Sequence, residues 1–385
     1  MNHSITPSQR EVLQQEITKR GFSRRSLGRF AALATAGAAL PFYNEAALAQ
    51  LSMVANMPAD AVKINANENP LGPCPEAAEA MYGVIKRGGR YLYEETFGFS
   101  KTLADQEGVK PDYVQPWGGS SAPLHQAVMA FTSKERPFVI AEPGYEAGER
   151  AAKFIGSKVI RVPLRADSSH DVKAMAAASA TPGLIYVCNP NNPTGSVTMR
   201  SDIEWLVKNK PTGSILLLDE AYIHLSNEQS GMEWVAADKD VIILRTFSKL
   251  YGMAGLRAGA AIARPDLLAK IQPYTAGALA VTGMVGANAS LKVKGLVAER
   301  RKIIGDIRED VLGFVSKKGY KFLPTVSNKF MLDVRMSAPE FQKKMMAENI
   351  YVGRSWSALP THSRISIGTA DEMAKFKAAF TKIMG

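Results

Sequence analysis

Lys249 lies in a stretch whose residue types suit covalent chemistry. The segment Val241–Gly259 reads VIILRTFSKLYGMAGLRAG. Its first four residues, apolar and mostly β-branched, predict a buried strand. Arg245-Thr246-Phe247-Ser248-Lys249 then predicts a polar loop leaving that strand, and a glycine-rich run leads on to Arg257. In an α/β sheet, ligands sit at the carboxyl ends of strands. A lysine amine there can join an aldehyde as a Schiff base, while Thr246, Ser248 and Arg257 can grip a phosphate. Together they suit an aldehyde cofactor that carries a phosphate group.

The remaining needs of such a cofactor fall at the ends of other predicted strands. Asp219 follows the apolar run Ile215–Leu218 and supplies the negative charge that keeps a pyridine nitrogen protonated, so that the ring can withdraw electrons. Asn192 and Tyr222 can donate to a phenolic ring oxygen. Gly119-Ser120-Ser121, ahead of a helix predicted over residues 123–132, offers backbone N–H groups to a phosphate. Tyr145 can stack on the ring face. This is the inventory that pyridoxal 5′-phosphate requires. Singly, each residue has an ordinary explanation as a helix cap, a turn, a core aromatic or a rigid Asn-Pro loop. The reading rests on their joint placement, in order, at successive strand ends.

Short apolar runs alternate with helical stretches through most of the chain. That alternation predicts an α/β fold with a largely parallel sheet covered on both faces. From about residue 281 to 317 the pattern is long and helical. Strand-like runs over 322–334, 350–353 and 365–368 then predict a smaller α+β domain. The expected division is a leader at 1–49, an N-terminal segment at 50–89 that packs on the small domain, a large cofactor-binding domain at 90–285 and the small domain at 286–385.

Composition excludes several alternatives. Among 385 residues, 46% are hydrophobic and 22% charged, as in an ordinary globular protein. The net charge is +11, of which the first 49 residues contribute six basic and three acidic side chains, so +8 remains beyond them. These charges are scattered rather than clustered with aromatics, which favours anionic small molecules over nucleic acid. Two cysteines, Cys74 and Cys188, and five dispersed histidines give neither a disulfide framework nor metal-ligand spacing, so no metal is expected.

The N-terminus carries Ser23-Arg24-Arg25-Ser26-Leu27 ahead of an alanine-rich apolar run too short to span a bilayer, then Ala47-Leu48-Ala49 as a small-x-small cleavage site. This resembles a twin-arginine export signal. It implies dealings with the twin-arginine export machinery, a periplasmic destination and no stable membrane anchor. If the leader does not function, the protein stays in the cytoplasm.

Asn192-Pro193-Thr194-Gly195, Asp219-x-Ala221-Tyr222 and Ser248-Lys249 with Arg257 resemble the signature blocks of the fold-type I aminotransferases, classes I and II. The resemblance runs from about Lys63 to the C-terminus. It implies a large domain with a mainly parallel seven-stranded sheet between helices, a small domain that closes over substrate, and a homodimer with shared active sites. It also implies that Arg364 grips the substrate carboxylate, with Asn192 beside it, and that Tyr91 reaches the cofactor phosphate of the partner subunit. Within that superfamily, Asn65–Pro70, Arg90-Tyr91, Pro143-Gly144-Tyr145 and Val352-Gly353-Arg354 are most similar to histidinol-phosphate aminotransferases. There the arginine matched by Arg354 helps to bind the distal phosphate. The chain departs from that pattern at Ser327-Asn328-Lys329-Phe330, where Ser-x-x-Asn-Phe is usual, and at Leu92, where proline is usual. The expected activity is amino transfer between an amino acid, or an amino-alcohol phosphate, and a 2-oxo acid. A decarboxylase or oxidase using the same residues, or a non-catalytic cofactor-binding protein, are the alternatives.

Overall fold

The computed structural model describes residues 57–275 and 277–385, so the leader and its arginine pair lie outside the described residues. The central sheet has seven strands in the order β2-β8-β7-β6-β5-β3-β4. These are β2 (Val114–Trp117), β3 (Phe138–Glu142), β4 (Val159–Pro163), β5 (Leu184–Cys188), β6 (Ile215–Asp219), β7 (Val241–Thr246) and β8 (Gly259–Ile262). Every residue of β5, β6 and β7 is buried, as expected for strands covered on both faces. Strands β4, β3, β5, β6 and β7 run parallel, whereas β8 is antiparallel to both β7 and β2. The cause is local: no helix lies between β7 and β8, so the chain turns back through a loop instead of crossing over. That loop carries Lys249.

Register then brings the polar residues together. Cys188 pairs with Asp219, and Asp219 with Leu244, so β5, β6 and β7 end side by side. Thr246 and Trp117 both pair with Gly259, which sets the turn after β2 beside the lysine loop. A Cβ on Gly259 would lie 2.6 Å from the Arg245 carbonyl and 2.7 Å from the backbone of Gly119, so the row closes only around glycine. Below it, buried Arg245 donates from Nε to Glu220 at 2.9 Å and from Nη1 to Glu107 at 2.8 Å, pinning the strand ends to a neighbouring helix, Tyr93–Glu107.

Two smaller sheets complete the scaffold. Strand β9 (Lys329–Asp333) pairs antiparallel with β11 (His362–Ser366), and β1 (Val62–Ile64) pairs parallel with β10 (Ile350–Val352). The N-terminal segment is thus stitched to the C-terminal part of the chain. The long helical stretch proves to be two helices, Val281–Lys292 and Leu296–Lys317, interrupted at Gly295 with φ +81°. Residue 285 falls inside the first of them, which packs on the helix Pro75–Ile85. The physical joint between the long helices is therefore the turn 293–295. Residues 123–132 likewise begin late, because the helix starts at Ser121 and ends at Phe131. Among the described residues, no helix is long and apolar enough to cross a membrane, and no cluster of potential metal ligands occurs.

One packing contact ties the N-terminal segment to the lysine loop. Gly252 has φ +68°, and a Cβ there would sit 2.1 Å from the carbonyl oxygen of Gly72. Both the backbone conformation and the backbone contact exclude a side chain. Gly252→Ala is expected to destabilise the protein by about 2–4 kcal/mol, read as a lowered urea midpoint. An unchanged midpoint would show that this contact yields without cost.

Candidate active site

A cavity of about 240 Å³ opens where these strand ends meet. Lys249, Asp219, Tyr222 and Asn192 line one set of its walls, with Tyr145 beside them. Ser120, Ser121, Thr246, Ser248 and Arg257 also line it. The structure therefore gathers residues scattered over more than a hundred positions of chain.

Asp219 is fully enclosed, and its environment is built of neutral donors. Tyr186 donates its hydroxyl to Oδ2 at 2.8 Å, and the Ala221 N–H donates to Oδ1 at 3.0 Å. Burial pushes this carboxyl up from 3.8 to about 6, while those hydrogen bonds and the Lys249 charge pull the other way. A carboxylate left in that state favours a cationic partner. Tyr186 itself stays protonated, because burial raises its phenol well above the usual value.

Arg257 makes the complementary case for an anion. It donates to the carbonyls of Ala254 at 2.8 Å and Gly118 at 2.9 Å, and more distantly to Ser248 Oγ at 3.5 Å. Burial pulls its guanidinium below the usual arginine value. Thr246 donates to Ser248 Oγ at 2.9 Å, so two hydroxyls stand near this cation. The helix Ser121–Phe131 starts beside them, and its first N–H groups favour negative charge. Gly119 adopts φ +97°, and a Cβ on it would lie 2.5 Å from Arg257 Nη2. The turn thus has room for the arginine only because it has no side chain.

Tyr222 and Asn192 are joined by Asn67, a member of the Asn65–Pro70 segment to which sequence reading gives no role of its own. Asn67 donates from Nδ2 to Tyr222 Oη at 3.0 Å and to Asn192 Oδ1 at 3.3 Å. Its own N–H donates to Ser366 Oγ at 2.9 Å, and its φ of +53° is one that asparagine tolerates. Arg364 is wholly buried on β11 and donates to Asn192 Oδ1 at 3.1 Å and to the Asn65 carbonyl at 2.6 Å. Arg364 therefore adjoins the cavity through Asn192.

Lys329 is the second neighbour to which sequence reading gives no role. It occupies the position at which the sequence departs from the histidinol-phosphate aminotransferase pattern. Its Nζ lies 3.1 Å from the centre of the Tyr222 ring and donates to Ser327 Oγ at 2.9 Å; the Lys249 Nζ lies 5.7 Å from the same ring. Two buried amines thus flank one tyrosine.

Other expected residues sit apart. Tyr91 is 70% exposed and stacks on Tyr93, with ring centres 5.7 Å apart, outside this chain's cavity. Arg354 is not part of the cavity lining; it is clamped by Glu146. Cys188 lines the cavity, and burial raises its thiol far above the usual range, which disfavours the nucleophilic thiolate. His170 is buried against Thr198 and pushed down to about 4 by burial. Among the described residues, no histidine lines the cavity; Lys249, Glu68, Tyr145 and Tyr222 are the groups along its walls, besides Asp219, that can carry a proton.

Comparison with known proteins gives consistent results. A family profile for aminotransferase class I and II matches residues 59–380. A histidinol-phosphate aminotransferase of Moorella thermoacetica is 31% identical over 336 residues, covering 84% of this chain and 86% of that protein. An aromatic amino acid aminotransferase of Cutibacterium acnes is 31% identical over 317 residues, covering 80% of this chain and 88% of the other. The crystal structure of histidinol-phosphate aminotransferase from Sinorhizobium meliloti, in complex with pyridoxal 5′-phosphate, superposes with a TM-score of 0.78 at 25% identity, covering 90% of this chain and 95% of that one.

Proposed function

Since this chain belongs to the class I and II aminotransferases, we propose that it transfers an amino group from an amino acid, or from an amino-alcohol phosphate such as histidinol phosphate, to a 2-oxo acid. Its cofactor is pyridoxal 5′-phosphate, as in that family. The donor set fits the group. A buried amine, a buried carboxylate and a cation beside two hydroxyls line one cavity, and that single observation carries the reading.

When bound, the cofactor supplies an electron sink for the pair left behind as a donor loses its α-proton. The chain supplies the rest. Lys249 Nζ would hold the cofactor's aldehyde and, when free, would take up the proton that leaves the donor's α-carbon. Asp219 keeps a proton on the ring nitrogen. Tyr222 and Asn192 would hold the phenolic oxygen, and Tyr145 would stack on the ring. Gly119, Ser120, Ser121, Thr246, Ser248 and Arg257 hold the phosphate. Arg364 grips the donor carboxylate, and its rigid fork orients the bond to be broken.

The reading includes a homodimer. Its support is a band of exposed apolar side chains at Tyr82, Ile85, Tyr91, Tyr93 and Phe97, from which Tyr91 would reach the partner subunit's phosphate site. It also includes export to the periplasm, supported by Arg24-Arg25 and the apolar run behind them.

The test couples a panel of amino donors, histidinol phosphate among them, to a 2-oxo acid. Amino product formed in step with donor loss is expected; carbon dioxide, peroxide or ammonia without amino product would contradict it. Arg364→Lys, which keeps the charge but loses the fork, is expected to lower kcat/KM for carboxylate donors by about a hundred-fold or more. Unchanged kcat/KM would remove Arg364 from the role.

A further inference from the structure

The position expected to recognise a distal phosphate is already occupied by an anion of this chain. Arg354 donates from Nη1 to Glu146 Oε1 at 3.0 Å and from Nη2 to Glu146 Oε2 at 2.6 Å, a bidentate pair. Glu146 follows Tyr145, which lines the cavity, and precedes the helix Ala147–Phe154. Its side chain makes no capping bond to that helix and turns to the arginine instead.

The pair is held in place from both sides. The Arg354 guanidinium lies 4.0 Å from the centre of the Trp356 ring, and Arg364 lies 5.3 Å from the same ring. Trp356 is fixed by its own Nε1, which donates to the Gly144 carbonyl at 3.2 Å. Gly353, next to Arg354, receives its position from Arg364: its N–H donates to the Arg364 carbonyl at 2.7 Å, and a Cβ on it would lie 3.0 Å from Arg364 Nε. The two arginines are therefore in fixed relation, one beside Asn192 and the cavity, the other neutralised.

Beyond the pair lies a second cavity of about 350 Å³. Glu142, Glu146 and Glu149 line it, with Arg161 as the cation among them. Glu149 is itself paired with Arg161 and Lys153, so the Arg354–Glu146 pair stands beside a second ion pair and no uncompensated cation of this wall faces it. A phosphate reaching this arginine would have to displace a bidentate carboxylate and then sit beside it as a like charge.

Resting on the aminotransferase reading, we infer that Glu146 is a specificity-determining residue: by holding Arg354, it selects amino donors whose far end carries no anionic group and rejects phosphate monoesters. The substrate class is an amino acid with a non-anionic side chain, its carboxylate on Arg364. This decides between the two donor classes that the aminotransferase reading leaves open.

The test compares holoenzyme of the wild type, Glu146→Gln and the double variant Glu146→Gln/Arg354→Met. In wild type, kcat/KM for L-leucine or L-phenylalanine is expected to exceed that for histidinol phosphate by at least about ten-fold. In Glu146→Gln the ratio is expected to shift toward histidinol phosphate by about ten-fold or more, because a neutral amide releases Arg354. Inorganic phosphate is titrated calorimetrically into the same three proteins as a readout independent of turnover. Glu146→Gln is expected to gain a binding event that the double variant lacks. A wild type that prefers histidinol phosphate, or a Glu146→Gln protein with unchanged phosphate binding, would overturn the inference. Absence of amino transfer with every donor would instead strike the aminotransferase reading, while the phosphate titration would still decide the role of Glu146.

Discussion

Lys249→Ala is expected to lower the amino-transfer rate by at least about four orders of magnitude and to abolish the visible absorbance that the cofactor acquires on its lysine. The size follows from two tasks resting on one amine. On the proposed reading it would both anchor the aldehyde and carry the α-proton, from a place in the cavity wall beside Asp219 and Tyr222. The fold is expected to survive. Lys249 is 7% exposed, and removing a buried amine relieves desolvation as well as leaving space. Circular dichroism and the melting temperature of the apoprotein check that point. Turnover close to wild type in a folded Lys249→Ala protein would mean that another group does this work.

Asp219→Asn is expected to reduce kcat by about a hundred- to a thousand-fold, because the charge that keeps the ring nitrogen protonated is gone. The same substitution has an opposite effect on the apoprotein. Burial lifts the Asp219 carboxyl from 3.8 to about 6, so ionising it in the folded chain is unfavourable. For an acid raised on folding, the folded state binds more protons than the unfolded state between those two values. Stability therefore falls as pH rises through that window and stays reduced above it. The gap corresponds to about 3 kcal/mol for this one group. Apo Asp219→Asn is thus expected to be more stable than apo wild type at pH 7 to 8, with the difference vanishing below about pH 4. Denaturant titrations at the two pH values measure it. A difference that persists in acid would point to packing rather than ionisation.

The strand-end residues were legible because their signal is local. Asp219 follows four apolar residues, Lys249 follows a strand by three positions, and Ser120 precedes a helix; strand register then aligns them. What escaped depends on contacts that span the chain. Tyr186 sits in LIYVC and reads as one more core side chain, although its hydroxyl reaches Asp219 on the next strand. Asn67 stands in the quoted segment Asn65–Pro70, but its contact with Ser366 spans 299 positions, a closure that no short window contains. Lys329 appears in the sequence only as a departure from a motif, yet it lies under the Tyr222 ring. β4 and β8 carry little local signal for a related reason. β4 is an edge strand of mixed burial, and β8 is a run of glycine, alanine and isoleucine without clear alternation. The ion pair between Arg354 and Glu146 joins residues 208 positions apart, so no local pattern announces it.

Two buried lysines beside one tyrosine set the most direct test of the central claim, that Lys249 is the residue that holds the cofactor. Holoenzyme is reduced with borohydride, which fixes the cofactor to whichever amine bears it, then digested and sequenced by mass spectrometry. The account requires the added mass on the peptide containing Lys249, with Lys329 unmodified. The mass on Lys329, or on no lysine, would contradict it.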